Sequence, residues 1–183
     1  HSTSSAASDV YKRQGNNSIG LLAQSIGGGG GVAGLSAGDA VILGGSLVGN
    51  ASGARVLVTN TGNITTTGIN AAAFLAQSIG GGGGAAAKSF GTLSRLGASS
   101  GNVADSDVVR VTNRGILTTF KNGSPALMVQ SIAGGGGYIA ETNALSSYDV
   151  TLAGSNLNSA NAGDVTLTNT GESLATLGSF SPG

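Results

Sequence analysis

Ala76-Gln77-Ser78-Ile79, followed by the five glycines Gly80 to Gly84, decides the fold, because the chain carries the phrase three times. Gln24-Ser25-Ile26 runs into Gly27 to Gly31, and Gln130-Ser131-Ile132 runs through Ala133 into Gly134 to Gly137. The differences 77 − 24 and 130 − 77 are both 53 residues. Self-similarity at a fixed period predicts a repeat architecture, in which one supersecondary unit buries its apolar face against the next.

The residues between the copies predict what that unit is. Val56-Leu57-Val58-Thr59-Asn60 is β-branched and alternating, the pattern of a strand with one face buried. Thr61-Gly62 breaks it, and Asn63 to Thr67 forms a second strand closed by Gly68. Ala73 to Ile79 is a third, ended by the glycine tract. Val109 to Asn113, Leu117 to Thr119 and Leu127 to Ile132 repeat the plan, and Val165 to Asn169 opens a further copy. Asn60, Asn113 and Asn169 step by 53 and then 56, so a loop between Gln130 and Asn169 absorbs three residues. No ten-residue helical pattern intervenes.

Short strands with Val and Ile at recurring positions predict an all-β chain, a parallel β-solenoid whose windings bond to one another about 4.8 Å apart. At roughly 20 residues per coil, the 53-residue period holds two or three coils. On that reading Gln24, Gln77 and Gln130 are not neighbours in one ladder. Val58, Val111, Leu167, Ile64, Ile79, Leu117 and Ile132 are expected to face inward. Asn60, Asn113 and Asn169 are expected at bends, where an amide bonds the local backbone.

Composition sets bounds on function. The 183 residues make one domain by length, with 34 glycines, about 19 % where about 7 % is usual. Disorder accompanies low hydrophobicity and high net charge, but here 39 % of residues are hydrophobic and eight basic residues balance eight acidic ones. Scattered bases and zero net charge argue against nucleic acid as a partner. Cysteine is absent, which removes disulfides and thiol metal sites. No run of 18 apolar residues predicts a transmembrane helix, and no export signal opens the chain.

Residues 1–14 stand outside the repeat. They hold the sole histidine, His1, together with Lys12 and Arg13, and resemble adapter-derived read-through peptides of metagenomic assemblies. Gly15 aligns with Gly68 one period later, so the pattern begins directly after Gln14. Residues 1–14 are therefore read as a sequencing scar or a disordered tail. Residues 15–183 are read as an uncapped β-helix fragment, marginally stable or aggregating when isolated.

Asn60 to Gly68 with Ala73 to Gly84, and the earlier Asn17 to Gly31, resemble passenger regions of Gram-negative autotransporters, the type V secreted proteins. The likeness covers about residues 15–183 in three partial copies. It implies a right-handed parallel β-helix, carried across the outer membrane by a C-terminal β-barrel and displayed on the bacterial surface or released. Such passengers commonly serve as stalks or adhesins. Neither barrel nor export signal lies in this chain, which reads as an internal piece.

Groups that could carry chemistry are few. Gly82 to Ser89 approaches the phosphate loop G-x-x-x-x-G-K-[ST], but Ala87 takes the place of the second glycine and Leu35 stands one period before Lys88. Asp105 and Asp107 could offer carboxylates to calcium, although adjacent units lack the pair and a solvated turn explains them. Hydrolytic triads lack a base outside His1. Asp39, Asp105, Asp107, Glu141, Asp149, Asp164 and Glu172 leave open a carboxylate pair for polysaccharide cleavage, should a groove join them to Arg95, Arg110 or Arg114. Asn-x-Ser/Thr triplets at Asn16, Asn50, Asn63 and Asn122 mean little in a chain this rich in Asn, Ser and Thr. Thr59, Thr65, Thr66, Thr67, Thr112, Thr118 and Thr119 suggest a flat, ice-binding type of surface if they form an outward array.

The expectations are therefore no enzyme activity, no catalytic or metal residues and no cofactor. The leading reading is a structural and adhesive passenger segment at the cell surface, whose partners are host or bacterial surface molecules or further copies of itself. The alternative is a carbohydrate-active β-helix module.

Overall fold

A computed structural model describes residues 10–36, 40–43, 51–89, 93–97, 104–142, 149–151 and 160–178. Every regular element among them is a strand, and every pairing is parallel. The first four strands are β1 (Val10–Arg13), β2 (Leu21–Ile26), β3 (Gly30–Ser36) and β4 (Ala40–Leu43). The next period supplies β5 (Val56–Asn60), β6 (Asn63–Thr66), β7 (Phe74–Ile79), β8 (Gly83–Ser89) and β9 (Leu93–Leu96). Then come β10 (Val109–Asn113), β11 (Leu117–Thr119), β12 (Leu127–Ile132), β13 (Gly136–Thr142) and β14 (Asp149–Thr151). β15 (Val165–Asn169) and β16 (Leu174–Thr176) follow.

These strands form five stacked sheets, β1-β6-β11-β16, β5-β10-β15, β2-β7-β12, β3-β8-β13 and β4-β9-β14. The arrangement is that of an all-β, solenoid-like stack. The register corrects one expectation. Gln24 pairs with Gln77 and Gln77 with Gln130, so the three glutamines do share one ladder. Described partners lie 53 residues apart between the first two periods and through most of the third, 56 apart where β9 meets β14 and β10 meets β15, and 57 apart where β11 meets β16. The expected two or three coils per period are not seen, because each period gives one strand to each sheet. The shorter winding failed because the glycine tract bends the chain without ending the coil. It leads into two more strands, β8 and β9, that the alternation did not predict.

Local chemistry explains the other boundaries. Val56, Ile64, Val109, Val111 and Leu117 pack with Phe74, Ala76 and Ala126 into the main core. Phe74 is the largest fully buried side chain, in a core otherwise made of aliphatic residues and alanine. Leu75, Gln77 and Ile79 point to the opposite face of β7 and are also fully buried. A strand covered on both faces reads as a continuous run rather than an alternating one. A smaller cluster joins Ala86 and Leu96 to Ala33, Leu43 and Ile139.

Of the residues expected inward, Ile64, Ile79, Val111 and Leu117 are buried, while Val58 and Ile132 are partly covered. Leu167 is not: it is 47 % exposed although it pairs with fully buried Val111. Val165 shows the same contrast with Val109. Both lie on β15, which has a described partner on one side only. Burial here depends on stacking as much as on residue type.

Val10–Arg13, within the segment read as a scar or tail, runs as β1 beside β6, with Tyr11 opposite Ile64 and Arg13 opposite Thr66. Ile64 and Thr66 are buried, whereas Tyr11 and Arg13 are exposed. β1 has a described partner on one side only, so exposure there follows its edge position as it does on β15.

Candidate functional site

Repeated polar residues form the best-defined constellation, and each column has a job in the stack. Asn60 Nδ2 donates to Asn113 Oδ1 at 2.7 Å and to Gly62 O at 2.8 Å. Asn113 Nδ2 donates likewise to Asn169 Oδ1 at 2.7 Å and Gly115 O at 2.8 Å. Each amide spends one hydrogen on its own bend and the other on the next strand. The expected local bond at the bend is there, and the asparagine ladder is added to it.

Glutamine makes a second ladder. Gln24 Nε2 donates to Gln77 Oε1 at 2.7 Å, and Gln77 Nε2 donates to Gln130 Oε1 at 2.5 Å. The neighbouring serines tie this sheet to the segments entering β5, β10 and β15. Ser25 Oγ accepts from Ala54 N at 2.8 Å, Ser78 Oγ from Asp107 N at 3.0 Å and Ser131 Oγ from Gly163 N at 3.0 Å. Ser78 Oγ and Ser131 Oγ also donate, to Ala54 O and Asp107 O. The Gln-Ser-Ile phrase thus names three contacts: a ladder, a staple and a core residue. Its period was visible in the sequence, and equal spacing was the signal that the glutamines share one column.

Glycines close the arch between β7 and β8. Gly83 and Gly84 have φ of +134° and +137°, a backbone conformation L side chains rarely adopt. A Cβ on Gly84 would sit 1.9 Å from Gly31 O, and one on Gly83 would meet Gly136 O as closely. Gly82 N and Gly135 N donate to Gly27 O and Gly80 O, each at 2.6 Å, which satisfies the arch without side chains. The conformation of the phosphate-loop look-alike can now be stated. Gly83 to Ser89 is strand β8, with no helix after it among the described residues to lend its N-terminal amides.

No family model, curated protein or solved structure matches the chain.

The remaining described candidate groups lie on several different elements. Asp105 Oδ1 accepts from Asn161 N at 2.7 Å and Asp107 Oδ1 from Val108 N at 2.6 Å, so both carboxylates serve backbone amides in turns. No group of three or more His, Cys, Asp or Glu able to hold a metal occurs among the described residues. Asp164 and Glu172 are exposed, and Glu141 and Asp149 lie on β13 and β14. His1, Asp39 and Asn50 lie outside the described residues. Arg110 and Arg114 are exposed, and Arg95 lies on β9. No helix among the described residues is long and apolar enough to cross a membrane, which does not bear on a β-barrel.

Threonines divide by role. Thr66 Oγ1 and Thr119 Oγ1 donate to Ala71 O and Ser124 O at 2.6 Å, and both residues are fully buried. A flat outward array including them is ruled out. Asparagines of the Asn-x-Ser/Thr triplets also bond across the stack: Asn16 Oδ1 accepts from Ile69 N and Asn63 Oδ1 from Ile116 N.

Tyr138, on β13, reaches back to the turn before β12, its hydroxyl donating to Gly123 O at 3.4 Å. Burial pushes its hydroxyl pKa from 10.0 up to about 12. A raised folded value means the unfolded chain gives up this proton first. The contribution is complete below about pH 10 and is lost as pH rises through about 12, roughly 3 kcal/mol in all. Alkaline titration followed by circular dichroism should show stability falling in that window, and Tyr138→Phe should remove this part of the fall.

Proposed function

We propose that this chain is a structural and adhesive segment of an autotransporter passenger, a right-handed parallel β-helix with one winding per 53-residue period. It stands at the bacterial surface or beyond, exported with an outer-membrane barrel elsewhere in the parent chain. The observation that carries this reading is where the repeated polar groups go. Asn60 with Asn113, Gln24 with Gln77, and Ser78 with Asp107 bond along the stack or to neighbouring backbone. A repeat selected for chemistry would point a recurring reactive group outward; here the recurring polar side chains hold windings together. Recognition falls to residues that vary between periods on the outer face, such as Leu57, Arg110 and Thr166, which share one exposed register column. The partners proposed are surface molecules of host cells or sibling bacteria.

Beads coated with the 183-residue chain test this. Adhesion to cultured cells or bacteria above that of albumin-coated beads is expected. No adhesion across a broad panel would sink the adhesive reading.

A further inference from the structure

Successive windings turn at one corner through a residue in the left-handed region: Asn17, Asn70 and Gly123, with φ of +59°, +55° and +68°. Glycine takes this conformation without steric cost, and asparagine is among the few other residues that visit it. The third winding uses the glycine, and the residue before it is Asn122. Alone among the asparagines of the chain, Asn122 precedes a glycine.

That pairing is chemically reactive. The main-chain nitrogen after an asparagine can close a five-membered ring onto the side-chain carbonyl carbon, which makes asparagine thermolabile. A side chain on the following residue shields that nitrogen, and glycine has none. Asn122 is exposed, so water and hydroxide reach it. The other corners and ladders differ. Asn60 and Asn113 are buried with their amides fixed in the ladder. Asn70 is buried and precedes Ala71, and Asn63 precedes β-branched Ile64. Asn16 is exposed and holds the place of Asn122 two periods earlier, but it precedes Asn17.

We propose that Asn122 is a self-modification site, where the folded chain turns its amide into a carboxylate and, in part, its main chain into an isoaspartyl linkage. Gly123 N gives its proton to hydroxide and bonds to Asn122 Cγ, the Cγ–Nδ2 bond breaks, and ammonia leaves. Water then opens the cyclic imide. Cleavage between Gly123 N and Cγ gives aspartate; cleavage between Gly123 N and the original main-chain carbonyl carbon gives isoaspartate. Nothing is oxidised or reduced. Either product adds one negative charge beside Lys121. Isoaspartate also inserts a methylene into the main chain, at a corner whose bonds fix its neighbours. Asn122 O accepts from Asn70 N at 2.9 Å, and Gly123 O accepts from the Tyr138 hydroxyl at 3.4 Å. Ser124 Oγ accepts from Ala71 N at 2.9 Å and donates to Gly68 O at 3.0 Å. The lengthened main chain therefore loosens the turn between β6 and β7 as well as its own, in one direction and with time. The proposal rests on this corner alone and holds whether or not the chain is adhesive.

Ageing the 183-residue chain in buffers from neutral to mildly alkaline, below its melting temperature, tests this. Peptide mass spectrometry should show the Asn122 peptide gaining about 1 Da, the exchange of ammonia for water. Its rate should rise about tenfold per pH unit, since hydroxide takes the proton. An isoaspartyl methyltransferase should label the same peptide, while peptides bearing Asn16 and Asn113 stay unchanged over the same interval. Asn122→Gln, whose longer side chain closes a six-membered ring far more slowly, should abolish both signals. Gly123→Ala is no substitute, because the added methyl would strike Asn70 Oδ1. Freshly purified Asn122→Asp carries the charge without the extra methylene and should melt close to the unaltered chain. The isoaspartyl fraction of the aged chain, separated by ion exchange, should melt lower. An Asn122 that stays intact in the folded chain, or that changes no faster than Asn16, would overturn the proposal. An isoaspartyl fraction as stable as the unaltered chain would overturn the loosening.

Discussion

Gly84→Ala is expected to cost about 4–6 kcal/mol, while Gly31→Ala, at the same register position one strand earlier, costs only about 1–3 kcal/mol. Both residues have the same strained backbone, with φ of +137° and +142°, so the conformational penalty is common to the pair. They differ in surroundings. A methyl at Gly84 lies 1.9 Å from Gly31 O, a backbone atom fixed by its own sheet, whereas a methyl at Gly31 meets nothing within 4 Å. Urea unfolding followed by far-ultraviolet circular dichroism gives both values. Subtracting one from the other isolates the clash. Equal losses would show that the arch does not hold successive strands at the spacing given.

Asn113 carries the second large effect. It is fully buried, accepts from Asn60, and gives both amide hydrogens away, to Gly115 O and Asn169 Oδ1. Asn113→Ala leaves Asn60 with one hydrogen unplaced and is expected to cost about 2–3 kcal/mol. Asn113→Asp is worse at neutral pH, about 3–5 kcal/mol. The ionised carboxylate still accepts from Asn60, but its other oxygen faces two further oxygens with nothing to donate. Protonation restores one donor, so the folded pKa of this aspartate is raised above its unfolded value near 3.9. Its neutral form contributes fully below that unfolded value, and the contribution is lost as pH rises through the raised folded one. Denaturation midpoints of Asn113→Asp should recover toward the unaltered chain near pH 4, while the deficit of Asn113→Ala stays constant. A pH-independent deficit in the aspartate variant would break the argument for a buried donor at this site.

Both substitutions expose what the sequence could and could not convey. Val56 to Asn60, Asn63 to Thr66 and Leu127 to Ile132 were readable as strands, since β-branched residues and the turns Thr61-Gly62 and Gly68 act locally. Strands β8 and β13 were not, because they begin in glycine, whose backbone freedom carries no strand signal. Leu167 was assigned inward with Val111 on the strength of an identical pattern, yet it is exposed because burial in a stack is a property of neighbours. The conformation of the glycine tract was illegible for a related reason. Lys88 resembles a phosphate-loop lysine only while the conformation of residues 82–89 is unknown, and a strand there supplies no helix amides.

The amino-acid sequence by itself determined the period, the all-β character and the identity of the equivalent residues, because propensity and repetition are local facts. Only the tertiary structure decided that equivalent residues lie directly on one another, since hydrogen bonds between positions 53 apart form across space after the whole winding has closed. A period states how far apart two glutamines are along the chain. Whether their amides meet depends on where five sheets bend, and glycines in conformations closed to other residues set those bends.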